Sequence, residues 1–389
     1  MTMPRLGAAA FAALIAITSA NLPAPGASAA DKAAADSYWV FFGTYTGGKT
    51  GSKGIYRSKM DAKTGKLSEP EVAFEMGSPS FLAIHPNNKF LYAVGEGGGA
   101  EGGPVVAFAL DGETGKLTKL NEGKSGGSGP CHISIHPKGT YAIVANYGGG
   151  SSAIFKLDDG KIGERTSFMQ HTGSGKDPGR QKEPHAHCGF FSPNGEYAIV
   201  DDLGIDRVKI FKFDQETGKA TDDSAADVIT PPGSGPRHIA IAPDGKFGYV
   251  CGELDSTVNV IKFNWAEGKP AVIESLSTLA KPVKGNSTAE CILSPDGKFV
   301  YVSNRGANTI AVFKVDADRK LTAAGHITGD IKTPRNFNID PSGKWMLIAS
   351  QDGNKVGVYA MDQASGGATE TETSVKVGAP VCVKFVPAK

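Results

Sequence analysis

An excess of charge of either sign is missing from this sequence. Its 41 Lys and Arg stand against 40 Asp and Glu, so it lacks the electrostatic footprint that a nucleic-acid or acidic-membrane partner requires. Cysteine is scarce: Cys131, Cys188, Cys251, Cys291 and Cys382 are all there is. Their odd number excludes complete internal pairing, and the absence of a CxxC spacing speaks against zinc. All five sit in or beside apolar strand-like runs and read as buried thiols. One disulfide stays open in an oxidising compartment. No stretch of helix length repeats apolar residues at the helical period. No GxSxG precedes a helix, which removes the serine nucleophile elbow. The glycine-rich segments 95–103, 125–129 and 146–152 do not join a strand to a helix, as a phosphate-binding loop must. They read as flexible connections.

Long apolar runs are missing too, with one exception near the N-terminus. Arg5 precedes "LGAAAFAALIAI", and the small residues "ASAA" at 27–30 complete the pattern of a secretory signal with its cleavage site. The run is too short to favour a membrane span. Residues 1–30 are therefore expected to be removed. That leaves 31–389 as a single-domain mature protein, periplasmic or secreted, with no membrane association and no partner chain.

Glycine, by contrast, is abundant at 51 residues. It punctuates short β-branched and aromatic runs, the composition of an all-β chain rich in tight turns. One turn recurs: "HPNNKF" with Pro86, "HPKGTY" with Pro137, "SPNGEY" with Pro193, "APDGKF" with Pro243, "SPDGKF" with Pro295 and "DPSGKW" with Pro341. Pro387 near the chain end is the seventh. The intervals are 51, 56, 50, 52, 46 and 46 residues. A second punctuation, such as "TGKL" at 64–67 and 114–117, falls between these turns. A period near fifty residues with about four strands per unit predicts a seven-bladed β-propeller. The last proline has no strand after it, and the first "TGKL" has two unpaired runs before it. The C-terminal "VCVKFVP" is therefore expected to be the inner strand of a blade that the N-terminal runs complete, leaving no free edge.

Aligned on the turn proline, two columns describe one face of such a propeller. Six residues before the proline stand Ser80, Cys131, His187, Arg237, Ala289, Arg335 and Val381. Just after the second strand stand Glu96, Tyr147, Leu203, Glu253, Arg305, Gln351 and Tyr45. An arginine needed only for solubility belongs in an outer strand or a turn. Arg237 and Arg335 instead share the channel position of His187, with Glu253 and Arg305 nearby. Propeller channels are often lined by polar groups for structure alone, but here the charge concentrates in blades 3 to 6. His185 and His187, two apart, share a side in extended chain; no third ligand accompanies them, so neither metal nor cofactor is expected. His132 and His238 fall one residue beyond the channel column and are expected to point into their blades as structural residues.

The stretches "PHAHCGFFSPNGEYAIVDDLGIDRV", "GPRHIAIAPDGKFGYVCGELDSTV", "SPDGKFVYVSNRGANTIAVF" and "TPRNFNIDPSGK" resemble the seven-bladed propeller lactonases. That family includes propeller-type 6-phosphogluconolactonase and is similar to the fungal 3-carboxy-cis,cis-muconate lactonizing enzyme. The likeness runs from Tyr38 to Pro387 and is most specific where Arg237 and Glu253 stand sixteen residues apart. It implies a lactone substrate and an active-site His at His187, with Arg237, Glu253 and Arg305 as its partners. His185, Arg335, Tyr147 and Gln351 are expected to bind substrate, while Glu96, in blade 1, is expected to lie away from the cluster. Lactone hydrolysis at the channel mouth would use His187 or Glu253 as base and the arginines at the oxyanion. A muconate-type cycloisomerase, or an exported propeller that only binds, are the alternatives. The phosphorylated sugar lactone is cytoplasmic, so either an exported chain acts on a different lactone or the reading of residues 1–30 as a signal is wrong.

Overall fold

In the computed structural model, the recurrent turn makes each blade. The structure describes residues 1–2, 35–48, 50–265 and 269–389; beyond its first two residues, the expected signal lies outside them. In blade 2 the His136 carbonyl accepts from Gly139 N–H at 2.7 Å, and His136 N–H donates to the Tyr141 carbonyl at 2.8 Å. Closing this hairpin needs a left-handed residue, which Gly139 supplies at φ 74°. In blade 1 Asn88 takes that place at 59°, being a residue whose short polar side chain tolerates the region. The second punctuation has a different cause. A β-carbon on Gly115 would lie 2.4 Å from the Trp39 ring of the next blade, and one on Gly160 2.3 Å from Phe90. These turns recur because glycine lets an aromatic side chain of the neighbouring blade pack against the bare backbone.

Seven antiparallel sheets result. Their inner strands are Phe81–Ile84, Pro130–Ile135, Ala186–Phe191, Pro236–Ile241, Thr288–Leu293, Pro334–Ile339 and Pro380–Pro387. Closure follows the expected route. Pro380–Pro387 pairs with Ser37–Thr44, with Trp39 opposite Val386 and Phe42 opposite Val383, and Gly54–Asp61 and Glu71–Glu75 complete that blade. The core is a ring of apolar layers between sheets. One cluster joins Ile143 and Ala145 of blade 2 to Ala198 and Val200 of blade 3; another joins Tyr249 and Val260 of blade 4 to Val300 and Val302 of blade 5. Blade 3 departs from four strands, since its outer edge is split into Ala220–Asp222 and Val228–Ile229 around a short 3-10 turn. No helix among the described residues is long and apolar enough to cross a membrane.

The inner strands share one irregularity that matters for function. In six of the seven, the register shifts where the channel column stands. Pro236 pairs with Gly252 and Ile239 with Val250, so Arg237 and His238 together face Cys251. This is a β-bulge, which re-aims a side chain and breaks strict alternation. The expectation that His132 and His238 point into their blades is thereby overturned. The His132 ring lies 4.2 Å from Phe81 and 5.4 Å from His238, and Phe81 lies 5.6 Å from His238. Rings from blades 1, 2 and 4 meet in this way only across the channel.

Candidate active site

Seven equivalent backbone bonds frame the face. Tyr45, Glu96, Tyr147, Leu203, Glu253, Arg305 and Gln351 each donate N–H to the carbonyl two residues before a channel-column residue. Glu253 bonds Gly235 at 2.8 Å and Arg305 bonds Ser287 at 2.9 Å. Five of the seven lead-ins then turn through a left-handed residue before proline: Ser78, Gly129, Gly235, Thr333 and Ala379. Thr333, at φ 51°, is a β-branched residue in a region it rarely adopts. Its N–H donates to Asn308 Oδ1 at 2.8 Å and its hydroxyl to Asp352 Oδ2 at 2.5 Å, which together hold it there.

Both columns therefore meet at one mouth. Ser80, Cys131, His187, Arg237, Arg335 and Val381, six of the seven channel-column residues, line a single pocket. Tyr45 and Glu96 also line it, and Phe81 and His238 add the two side chains next along their strands. The expected distance of Glu96 from the cluster is thus wrong: closing the ring sets blade 1 beside blade 7, and both share this pocket with Arg335 of blade 6. Burial raises the Tyr45 hydroxyl, with Arg335 opposing and Glu96 reinforcing the rise.

Glu253 is the electrostatic centre. Its Oε2 lies 2.9 Å from Arg237 Nε and 3.0 Å from Arg305 Nη2, and its Oε1 lies 2.8 Å from Arg180 Nη2. The Arg237 contact is an ion pair by distance but is not aligned as a hydrogen bond. Burial works to raise the Glu253 carboxyl, yet Arg305, Arg237 and Arg180 outweigh it and hold it at about 2. Burial likewise pulls Arg305 down to about 10. Arg237 is only 2% exposed; its Nη1 donates to the Ala289 carbonyl at 2.5 Å, and Arg305 Nη2 donates to Thr288 at 2.8 Å. Arg335 differs. Its guanidinium sits 5.2 Å from the Tyr45 ring centre and makes no hydrogen bond or ion pair among the described residues.

His187 is buried at the pocket wall. Burial first, then the Arg237 guanidinium, the neighbouring His238 ring and the Arg335 guanidinium, hold it well below the usual histidine range, so it is neutral. Its Nδ1 lies 3.9 Å from Cys131 Sγ. Burial pushes that thiol up, which leaves it protonated and poorly nucleophilic. All five cysteines are free and buried.

The remaining expected substrate contacts lie off this pocket. Tyr147 stacks on His185 at 4.5 Å, and His185 Nδ1 is 3.0 Å from the Tyr147 carbonyl. Gln351 donates to Asp352 Oδ1 at 3.3 Å and does not line the pocket. Sequence reasoning missed Arg180, whose Nη2 also reaches the Tyr147 hydroxyl at 3.1 Å. Arg180 belongs to neither column because it comes from a segment inserted between blades 2 and 3. The 56-residue interval, the longest between turns, is the one sign of that insertion. Among the described residues no group of three or more His, Cys, Asp or Glu is placed to hold a metal ion.

The family profile described as "Lactonase, 7-bladed beta-propeller" matches residues 39–385. This chain belongs to that family. It is 34% identical to a 6-phosphogluconolactonase of Bacillus subtilis over 90% of this chain and 98% of that protein. A 6-phosphogluconolactonase of Formosa agariphila is also 34% identical, over 84% of this chain and 93% of its own length. Among solved structures, the periplasmic gluconolactonase of Pseudomonas aeruginosa matches with a TM-score of 0.84 at 30% identity, covering 91% of this chain and all of that one. Seven-bladed architecture and lactone chemistry are thus properties of the family to which the pocket belongs.

Proposed function

We propose that this protein is a metal-independent lactonase that opens a sugar lactone at the mouth of its channel, outside the cytoplasm. The observation that carries the proposal is one pocket in which Arg335 and Arg237 face a neutral His187. Opening a lactone needs an attacking water, a proton acceptor and positive charge where the oxyanion forms. Protein groups alone can meet all three needs. Arg335, with no acceptor among the described residues, is free to clamp a carboxylate or phosphate bidentately. Arg237 turns its Nε edge to Glu253 as an ion pair and donates Nη1 to Ala289, which leaves Nη2 for the oxyanion. A carboxylate held at about 2 is a poor base at neutral pH. Glu253 accordingly fixes Arg237 and Arg305 and takes no proton, while His187 hydrogen-bonds the bound lactone.

Export is supported by the signal-like sequence at 1–30 and by the periplasmic gluconolactonase relative. The test is a pH-stat assay of residues 31–389 against gluconolactone, its 6-phosphate and muconolactone. Acid release from a sugar lactone is expected. Turnover of muconolactone alone would move the reaction to the cycloisomerase class, and tight binding without turnover would make the protein a binding propeller. N-terminal sequencing of the exported protein should begin at Ala30 or Asp31. An intact Met1 on cytoplasmic protein would overturn export and restore the phosphorylated lactone.

A further inference from the structure

The roles above leave two buried titratable groups unused beneath the pocket. The bulges of blades 4 and 5 turn His238 and Glu290 inward, and His238 Nδ1 lies 2.8 Å from Glu290 Oε1. That carboxylate also accepts from Cys291 N–H at 3.1 Å and from Asn336 Nδ2. Asn336 is fixed in turn by accepting from Val383 N–H at 2.8 Å. A buried carboxylate that already holds these two N–H donors, and whose pKa is lowered, is ionised and can only accept. Nδ1 of His238 therefore carries the ring proton, and the lone pair of the neutral imidazole falls on Nε2. Nε2 is buried without a hydrogen-bond partner among the described residues, and the ring lines the pocket beside His187, Arg237 and Arg335. A buried acceptor left without a donor is costly, and this pocket, about 10 Å³ in volume, is of the size that holds a single water as that donor.

We propose that His238 is the general base of the lactone reaction and Glu290 its positioning residue, an assignment that rests on the lactonase reading. A water on Nε2 gives its proton to the ring as its oxygen bonds the lactone carbonyl carbon. The carbonyl electron pair moves to oxygen, which faces Arg237. When this oxyanion collapses, the ring C–O bond breaks and the leaving alkoxide takes the proton back from Nε2. Lactone and water become one hydroxy acid, and His238 ends neutral. Glu290 stabilises the imidazolium in passing, as a buried carboxylate does for a catalytic histidine. His187 has no carboxylate partner among the described residues to do this for it. The groups facing His238 are Glu290 on one side and Arg237, Arg335, His187 and His132 on the others, with Lys384 reaching Glu290 and His132. Burial lowers His238, with Glu290 opposing and the two arginines adding to the fall.

Steady-state rates from pH 5 to 9 on the lactone that the unmodified protein opens test the assignment. His238→Gln should lower kcat by about a hundredfold or more while KM stays within about threefold. Glu290→Gln should lower kcat about tenfold and move the acid limb to lower pH, because removing the negative charge makes the imidazole easier to deprotonate. A purely structural Glu290 would leave that limb in place. Where His238→Gln fails to fold, the limb of Glu290→Gln decides alone. Unchanged kcat in folded His238→Gln, or an unmoved limb in Glu290→Gln, overturns the assignment while the lactonase reading stands. An unmodified protein that opens no lactone overturns both.

Discussion

The two ends of the central channel are made by the same inner strands and differ in kind. At one end stand His187, Arg237 and Arg335 with Tyr45 and Glu96. At the other, Ile84, Ile135, Ile339 and Phe385 surround an apolar cavity of about 370 Å³ in which Lys384 is the charged residue. The bulges lie only at the first end, where two sets of loops converge, and there two successive side chains of a strand both face inward. The second end keeps the alternation of a regular strand. Charge can therefore be gathered only where the backbone leaves the regular pattern and where loops such as the one carrying Arg180 bring counter-charges.

The largest expected effect that sharpens this contrast is that of Arg237→Met. It should cut kcat/KM by a hundredfold or more, the scale of one lost oxyanion donor. It should also lower stability, because Arg237 is buried against Glu253, by less than the loss of a lone buried partner would, since Arg305 and Arg180 still hold that carboxylate. Paired melting curves and rates on this variant check both at once. Full activity in the folded variant would remove Arg237 from the site.

Arg335→Met should match it in activity but not in stability, since Arg335 has no ion pair among the described residues to lose. Arg335→Lys should recover only part of the rate, an ammonium being unable to reproduce the guanidinium fork. A melting temperature that falls as far as that of Arg237→Met would show the two arginines to be equally structural.

A smaller effect concerns pH. Glu253 is held at about 2 against an ordinary 4.5, so its folded value lies below its unfolded one. Its contribution is then fully present above pH 4.5 and is lost as pH falls toward 2. The shift corresponds to on the order of 3 kcal/mol. Calorimetry at pH 7, 4.5 and 3 should show a drop in melting temperature that Glu253→Gln largely lacks. Identical acid sensitivity in the two proteins would deny the guanidinium cluster its part.

The smallest effect belongs to the apolar end. Phe385→Leu there, where the ring lies 6.1 Å from that of Tyr38, should cost about 1 kcal/mol and leave kcat/KM within about twofold. A large loss of rate would tie the two ends together and break the comparison.

Blade count, ring closure and the channel column were all legible in the sequence, and for one reason. Turn residues act locally: Pro341 and its six counterparts, with Gly343 and its equivalents in the turns, set the repeat without help from the rest of the chain. The pairing of Val386 with Trp39 follows from counting strands on either side of those turns. Tertiary structure alone decided which side chains share the site. A bulge adds a residue within a strand and leaves no mark in the turn spacing, so His238 read as a blade-interior residue although it faces the channel. Glu96 looked remote by blade number, but a closed ring has no remote blade. Arg180 stands in no repeat column, and only the folding of its inserted segment over the mouth carries its charge to Glu253. The sequence of a repeat protein determines its period. The contacts across its axis depend on closure and on local breaks in that period, which no stretch of residues encodes by itself.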